Sequence, residues 1–80
     1  MTKPKLPDII RIEVLRPNGA VLTTEDHSFS TAYAIENACT EQRLRVRNEH
    51  GFTPAFRVWK IDRTAKPWVA SDITYLFQVN

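Results

Sequence analysis

Eighty residues correspond to one domain, close to the smallest size at which a single hydrophobic core suffices without disulfides or bound metal. Hydrophobic residues make up 42% of the chain and charged residues 25%, which excludes a disordered class of protein. A net charge of +2 does not by itself indicate nucleic-acid binding, and one cysteine excludes an internal disulfide bond.

The composition also bears on the cellular compartment. The opening residues, MTKPKLP, contain two lysines but no apolar run follows them, so no signal peptide is predicted. No stretch approaches the roughly 18 apolar residues that a membrane-spanning helix needs. The lone cysteine gives no indication of an oxidising compartment. We therefore expect a soluble, cytoplasmic protein with no membrane segment.

The N-terminal third predicts an arm followed by a hairpin. Residues 1–8 hold two prolines and two lysines and predict a flexible N-terminal arm, which leaves a single α+β domain over residues 9–80. Residues 9–15 are β-branched and partly alternate, which is typical of a strand. Pro17 suits the second position of a type I turn, and Gly19 can adopt the left-handed conformation that closes a bulged hairpin. The pattern predicts a β-hairpin over residues 9–24.

The next segment changes from strand to helix periodicity. Ser28 or Ser30 is expected to cap the helix, because a serine hydroxyl accepts a hydrogen bond from a free N–H of the first turn. The apolar stripe of this helix, spaced at about 100° per residue, comprises Ala32, Ile35, Cys39 and Val46, with Ala38 at its edge.

The run from Glu41 to Phe52 admits two interpretations, because three arginines alternate with apolar residues in it. A strand would place all three on one face, whereas a helix would place Arg43 and Arg47 one turn apart and the middle arginine nearly opposite. Val46 continues the apolar stripe, and Gly51 stands where a helix C-terminus favours a left-handed residue. We favour the helix, and a strand over residues 43–48 is the alternative.

Two further strands are predicted after the helix. Residues 55–62, AFRVWKID, have mixed faces, and residues 72–80, DITYLFQVN, alternate to the last residue. One face of the third strand holds Phe56, Val58 and Lys60, and the other holds Arg57, Trp59 and Ile61.

The element order ββαββ predicts an α+β fold, in which a four-stranded antiparallel sheet carries one long helix packed on one face. One helix is too narrow to cover both faces of such a sheet. The apolar residues on both sides of the third and fourth strands therefore predict an uncovered surface that binds another molecule.

Candidate catalytic groups do not assemble into a motif. The serines lack a G-x-S-x-G context, and the two glycines are too few for a phosphate-binding loop. Cys39 is a candidate nucleophile with His27 or His50 as base, but its place on the apolar stripe favours a buried structural thiol. No metal-ligand spacing of the C-x-x-C or H-E-x-x-H kind occurs. We expect no enzyme activity, no metal and no cofactor.

The second half of the chain is rich in cations and aromatic residues. Residues 43–80 hold seven Lys or Arg against three acidic residues, and six of the eight aromatics. The candidate partner-binding residues are Arg57, Trp59, Lys60, Arg63, Lys66 and Trp68, with Arg43 and Arg47 as secondary candidates. Tryptophan and arginine anchor protein interfaces, and mixed rings and cations also bind single-stranded nucleic acids. A third interpretation is that the tryptophans complete a small core and the cations keep the surface soluble.

In size and organisation, the chain resembles small inhibitor proteins of phages and mobile elements, among them anti-CRISPR proteins against type I complexes. The resemblance implies a non-enzymatic, protein-binding inhibitor or accessory factor that acts in the host cytoplasm. Such a protein would block nucleic-acid access to a type I effector complex sterically, since a slightly basic chain does not suit DNA mimicry. One alternative is a single-stranded nucleic-acid-binding module, and another is a structural subunit of a larger assembly. The protein is expected to be a monomer or a homodimer.

Overall fold

A computed structural model of the protein describes residues 9–28 and 31–80 and confirms the order ββαββ. The elements are β1 (Ile9–Leu15), β2 (Val21–His27), α1 (Ala32–His50), β3 (Ala55–Asp62), β4 (Val69–Asp72) and a 3₁₀ helix (Thr74–Leu76). All neighbouring strands are antiparallel, in the sheet order β2-β1-β3-β4. The α+β class and the four-stranded antiparallel sheet are therefore confirmed. The predicted N-terminal arm and the predicted cap Ser30 lie outside the described residues.

The first hairpin forms through the predicted turn. The N–H of Arg16 donates to the carbonyl of Ala20 (2.8 Å), and the N–H of Gly19 donates to that of Arg16 (2.9 Å). Gly19 has φ 87°, the left-handed conformation that a residue with a side chain rarely adopts. The register shifts by one residue next to the turn, which leaves Leu22 as a β-bulge. The second strand continues to His27, beyond the predicted end of the hairpin.

The helical interpretation of the arginine run is confirmed, because α1 continues through it to His50. Gly51 ends the helix with φ 78°, and its N–H donates a hydrogen bond to the carbonyl of Arg47 in the last turn. The expected cap at Ser28 is wrong: the cap is Thr31, whose hydroxyl accepts from the N–H of Ala34 (3.2 Å). Ser28 follows β2 directly and lies three residues before the cap.

One face of the sheet packs against α1 and forms the hydrophobic core. Alternation along β1 and β3 turns their even-numbered apolar side chains towards the helix. The buried cluster consists of Ile12, Val14, Ile35, Cys39, Val46, Phe56, Val58 and Val79. The predicted stripe is thus largely confirmed, but Ala32 at its start is exposed and Ala38 is half-buried.

The predicted fourth strand over residues 72–80 is wrong, because β4 spans Val69–Asp72 instead. The carboxylate of Asp72 accepts hydrogen bonds from the N–H (2.9 Å) and the hydroxyl (2.6 Å) of Thr74. Such a side-chain bond two residues ahead competes with strand extension and bends the backbone. The chain therefore leaves the ladder and forms a 3₁₀ turn.

Side chains replace the missing strand along the outer edge of β3. The N–H of Val58 donates to the hydroxyl of Thr74 (2.8 Å), and its carbonyl accepts from the N–H of Ile73 (2.9 Å). The N–H of Phe56 donates to the side-chain oxygen of Asn80 (2.7 Å). These bonds satisfy backbone groups that a fourth strand would otherwise pair.

The last residues pack against the helix rather than lengthening the sheet. The N–H of Gln78 donates to the carboxylate of Glu36 (2.7 Å). The guanidinium of Arg43 donates to the carbonyl of Val79 and lies 5.5 Å from the ring centroid of Phe56. Val79 is therefore fixed in the hydrophobic core.

Candidate binding surface

The candidate surface is the sheet face opposite α1, which we call the open face. Its side chains are the odd-numbered residues of β1 and β3, with Thr24 and Asp26 beside them on β2 and Ala70 and Asp72 on β4. One row across the four strands comprises Asp26, Arg11, Trp59 and Asp72, and the next comprises Thr24, Glu13 and Arg57. Charged groups and an indole therefore alternate across this face.

Trp59 is held in the middle of the open face by its neighbours. Its indole N–H donates to the carboxylate of Glu13, whose side chain is only 18% exposed. The guanidinium of Arg57 lies 5.9 Å from the centre of the indole and 3.9 Å from the same carboxylate. The ring is therefore half-buried and oriented by a carboxylate at its edge and a cation at its face.

Arg11 and Asp26 form a two-pronged ion pair beside this tryptophan. The distances are 2.8 Å from Nε to Oδ1 and 3.0 Å from Nη2 to Oδ2. Hydrogen bonding from the guanidinium lowers the pKa of Asp26, and the same bond raises the pKa of Arg11. Both charges are thereby compensated within the protein.

A shallow depression lies next to the indole. Its volume is about 170 Å³, and it is lined by Arg11, Glu13, Trp59, Ile61 and Ala70. Asp72 pairs with Trp59 across the sheet, and hydrogen bonds from the hydroxyl and the N–H of Thr74 lower the pKa of its carboxyl group. The strand residues of the open face therefore carry two guanidinium groups and three carboxylates.

The β4 edge adjoins the open face and is exposed along its whole length. Trp68 directly precedes the strand and is 56% exposed. Val69 opens the strand and is also more than half exposed, as are Tyr75 and Leu76 just beyond the strand. Large apolar side chains therefore flank both ends of a short edge strand.

The structure brings together only some of the predicted site residues. Arg57 and Trp59 share the open face, and Trp68 lies at its margin. Lys60 pairs with Ile10 and lies on the other face of the sheet. The remaining candidates occupy the loop between β3 and β4, where Arg63 is half-buried and Lys66 exposed.

The secondary candidates lie elsewhere on the molecule. Arg43 points to the C-terminal residues and stacks on Phe56, so its guanidinium serves the fold. Arg47 is exposed in the last turn of α1.

Sequence reasoning missed the acidic half of the open face. Glu13 and Arg11 alternate with apolar residues in β1, which already indicated an outward direction for both. Asp26, the partner of Arg11, lies 15 residues further along the chain. Trp59, the partner of Glu13, lies 46 residues further along. Only the strand register identifies those pairs.

The other candidate chemistry has a structural explanation. Cys39 is fully buried, and burial raises its pKa to about 11, so it remains a neutral thiol at pH 7. Within residues 9–28 and 31–80, no three His, Cys, Asp or Glu side chains are arranged to hold a metal ion. In the same part of the chain, no helix combines the length and apolar character needed to cross a membrane.

Comparisons with protein-family models, with curated proteins and with solved structures find no match. The functional proposal therefore rests on the open face and the β4 edge.

Proposed function

We propose that this protein is a non-enzymatic binding protein that occupies the surface of a partner protein with its open face and β4 edge. The observation that carries the proposal is the exposed indole of Trp68 beside a sheet face that α1 does not cover. Tryptophan and arginine are the side chains that most often anchor protein interfaces. Trp59, oriented by Glu13 and Arg57, supplies a second and more rigid anchor.

The charges of the open face favour a protein partner over a phosphate backbone. Arg11 is engaged by Asp26, and Arg57 lies near Glu13. Binding to nucleic acid depends on cations that replace the counterions of phosphates. A face with three carboxylates and two guanidinium groups supplies little such charge and instead suits a partner with polar groups of both signs.

The proposed mode of action is steric occlusion. A chain of this size covers a patch of a partner and obstructs whatever would otherwise bind there. The likeness in size and organisation to phage-encoded inhibitors makes a nucleic-acid-processing complex, and first of all a type I CRISPR effector complex, the partner to test. In that role the protein acts as an inhibitor in the host cytoplasm.

The test measures binding of labelled target DNA to a purified type I effector complex as the protein is added. We expect DNA binding to fall as the protein approaches a stoichiometric amount. Trp68→Ala should weaken this inhibition about tenfold or more, as expected for an interface anchor. Tyr33→Ala is the matched control, because Tyr33 is also an aromatic residue that is more than half exposed, but it lies on α1.

The wider proposal of a protein partner has its own test. The immobilised wild type should retain a stoichiometric protein from host lysate, and the Trp68→Ala variant should retain much less of it. If folded wild-type protein retains nothing that depends on Trp68, the proposal is wrong.

A single-stranded nucleic-acid-binding module is the second candidate. Lys66 and Trp68 are both exposed in the loop before β4, and a cation beside a ring is the arrangement on which bases stack. This function predicts binding of a labelled oligothymidine that weakens steeply between low and physiological salt. Fluorescence anisotropy measures it, and the absence of binding at low salt excludes this candidate.

A further inference from the structure

The geometry points to a second binding site, separate from the open face, in which an extended peptide segment of a partner protein adds as a strand to the free edge of β2. This segment would lie beside β2 in the plane of the sheet, with alternate side chains directed into the groove between β2 and α1. The inference does not depend on the proposed function, because it uses the backbone edge of β2 and the helix side of the sheet, whereas the β4 edge lies at the opposite end of the sheet.

Backbone groups of β2 point outward along its free edge. Among the described strands, β2 has β1 as its only neighbour. The N–H of Arg16 donates to the carbonyl of Ala20 across the hairpin. In an antiparallel pair, residues that hydrogen-bond to the neighbouring strand alternate with residues whose N–H and C=O groups point away from it. With the observed register, Thr23 and Glu25 bond to β1, while Thr24 and Asp26 turn their N–H and C=O groups outward.

A groove lies beside this free edge. Its volume is about 430 Å³, and its lining includes Leu22, Glu25, Gln42, Arg45, Val46 and Glu49. The floor is apolar where buried Val46 and half-buried Leu22 lie. The side-chain amide of Gln42 donates to the carboxylate of Glu25 (3.2 Å), which links the helix to the strand across the groove. A strand added to β2 would direct alternate side chains into this space.

The helix wall of this groove carries charged side chains of both signs. Arg45 and Glu49 lie one turn apart on α1, both are exposed, and neither forms an ion pair with another described residue. Their separation, about 6 Å between Cβ atoms, is close to the roughly 6.7 Å between alternate residues of a strand.

These charges define the occupant. It carries an acidic residue for Arg45, a basic residue two positions away for Glu49, and an apolar side chain for the floor at Leu22 and Val46. The outward backbone groups of Thr24 and Asp26 bond its main chain, so the backbone supplies most of the affinity and the side chains supply selectivity.

The probe is a displayed library of random ten-residue peptides, selected on the immobilised full chain. We expect enriched peptides to share an acidic and a basic residue separated by one position, in either order. A synthetic peptide of the enriched sequence is then titrated against variants by fluorescence anisotropy.

Thr24→Pro removes one outward N–H without breaking a bond to β1, and it should weaken peptide binding about tenfold. Thr24→Val keeps the N–H and should bind within about twofold of the wild type. Arg45→Glu should weaken binding at least about threefold, whereas Arg47→Glu, outside the groove, should leave it unchanged.

A second measurement replaces this one if circular dichroism shows that Thr24→Pro does not fold. Methylation of one backbone nitrogen of the peptide at a time should abolish binding at alternate positions only. The reason is that only every second N–H of an added strand points towards β2. Trp68→Ala should leave peptide binding unchanged, which separates this site from the open face.

Three outcomes would overturn the inference. One is a library that yields no peptide above background. Another is a peptide that binds Thr24→Pro as tightly as the wild type and shows no alternation on N-methylation. The last is a dimer in light scattering that dissociates in Thr24→Pro, which would assign the β2 edge to a second copy of the chain.

Discussion

The side-chain amide of Asn80 forms two hydrogen bonds with the backbone of Phe56. Its oxygen accepts from the Phe56 N–H at 2.7 Å, and its nitrogen donates to the Phe56 carbonyl at 2.9 Å. One amide side chain thus reproduces the pair of bonds that a neighbouring strand would form. The edge of β3 is completed where the predicted fourth strand fails to extend.

Removing this amide should destabilise the protein. Asn80→Ala leaves the half-enclosed N–H and C=O of Phe56 without their partner, and we expect a loss of about 1–3 kcal/mol in the free energy of unfolding. Asn80→Asp keeps an acceptor for the N–H and should lose less. Urea unfolding followed by circular dichroism measures both. Equal stability of Asn80→Ala and wild type would show that the pair contributes nothing.

The core prediction compares two residues of the same helix. Ile35 is fully buried against the sheet, and Ile35→Ala should cost about 2–5 kcal/mol, a large part of the stability of so small a domain. Leu44 is 57% exposed, and Leu44→Ala should change stability by less than about 0.5 kcal/mol. Thermal unfolding of the two variants gives the comparison. Similar losses would mean that α1 packs with a different face.

The two tryptophans should differ in solvent access. Trp68 is more than half exposed, while Trp59 is half-buried and bonded to Glu13. The variant Trp59→Phe leaves Trp68 as the only tryptophan, and Trp68→Phe leaves only Trp59. Acrylamide should quench the fluorescence of Trp68 in the first variant more strongly than that of Trp59 in the second. In the latter background, Glu13→Ala should increase quenching of Trp59, because the indole loses its acceptor. Equal quenching of the two indoles would contradict the described open face.

The Arg11–Asp26 pair predicts a pH dependence of stability. The pKa of Asp26 in the folded protein is lowered below its value of about 3.9 in the unfolded chain. The ion pair therefore stabilises the fold fully at pH values above the unfolded pKa, and this stabilisation is lost as the pH falls through the folded pKa. Both side chains are more than one-third exposed, so solvent screening limits the effect to below about 1 kcal/mol.

The measurement is the stability difference between wild type and Asp26→Asn in urea from pH 7 down to pH 3. The difference should be present at neutral pH and shrink below about pH 4. A stability difference that stays constant across this pH range would show that the negative charge of Asp26 does not stabilise the fold.

Cys39 provides a probe of native opening. Its thiol is fully buried, and burial raises its pKa to about 11, so a disulfide reagent at pH 8 should react slowly with the folded protein. The same reagent should react rapidly in urea, where the thiol is accessible. Equally fast reaction in both states would place the thiol at the surface rather than in the core.

Local patterns in the sequence were sufficient for most of the elements. The pattern of residues 55–62 predicted β3 with its bounds although its faces are mixed, and Gly51 together with Val46 favoured the helical interpretation of the arginine run. The proline and glycine of the first turn predicted the hairpin. These signals act through a few neighbouring residues, so that a single sequence contains them in full.

The fourth strand shows where local alternation misleads. Residues 73–79 alternate as a strand does, yet Asp72 and Thr74 carry side chains that bond each other and turn the chain. The buried position of Val79 depends on Arg43 and the helix, which lie far away in sequence.

The sequence by itself predicted the order of elements and the bounds of the third strand, and it favoured a helix through the arginine run, since each depends on backbone preferences and periodicity within one segment. Only the tertiary structure decided that Arg11 meets Asp26, that Trp59 meets Glu13, and that a groove opens between β2 and α1. Those relationships depend on strand register and on the placement of the helix over the sheet, which are set by contacts between residues distant in the chain.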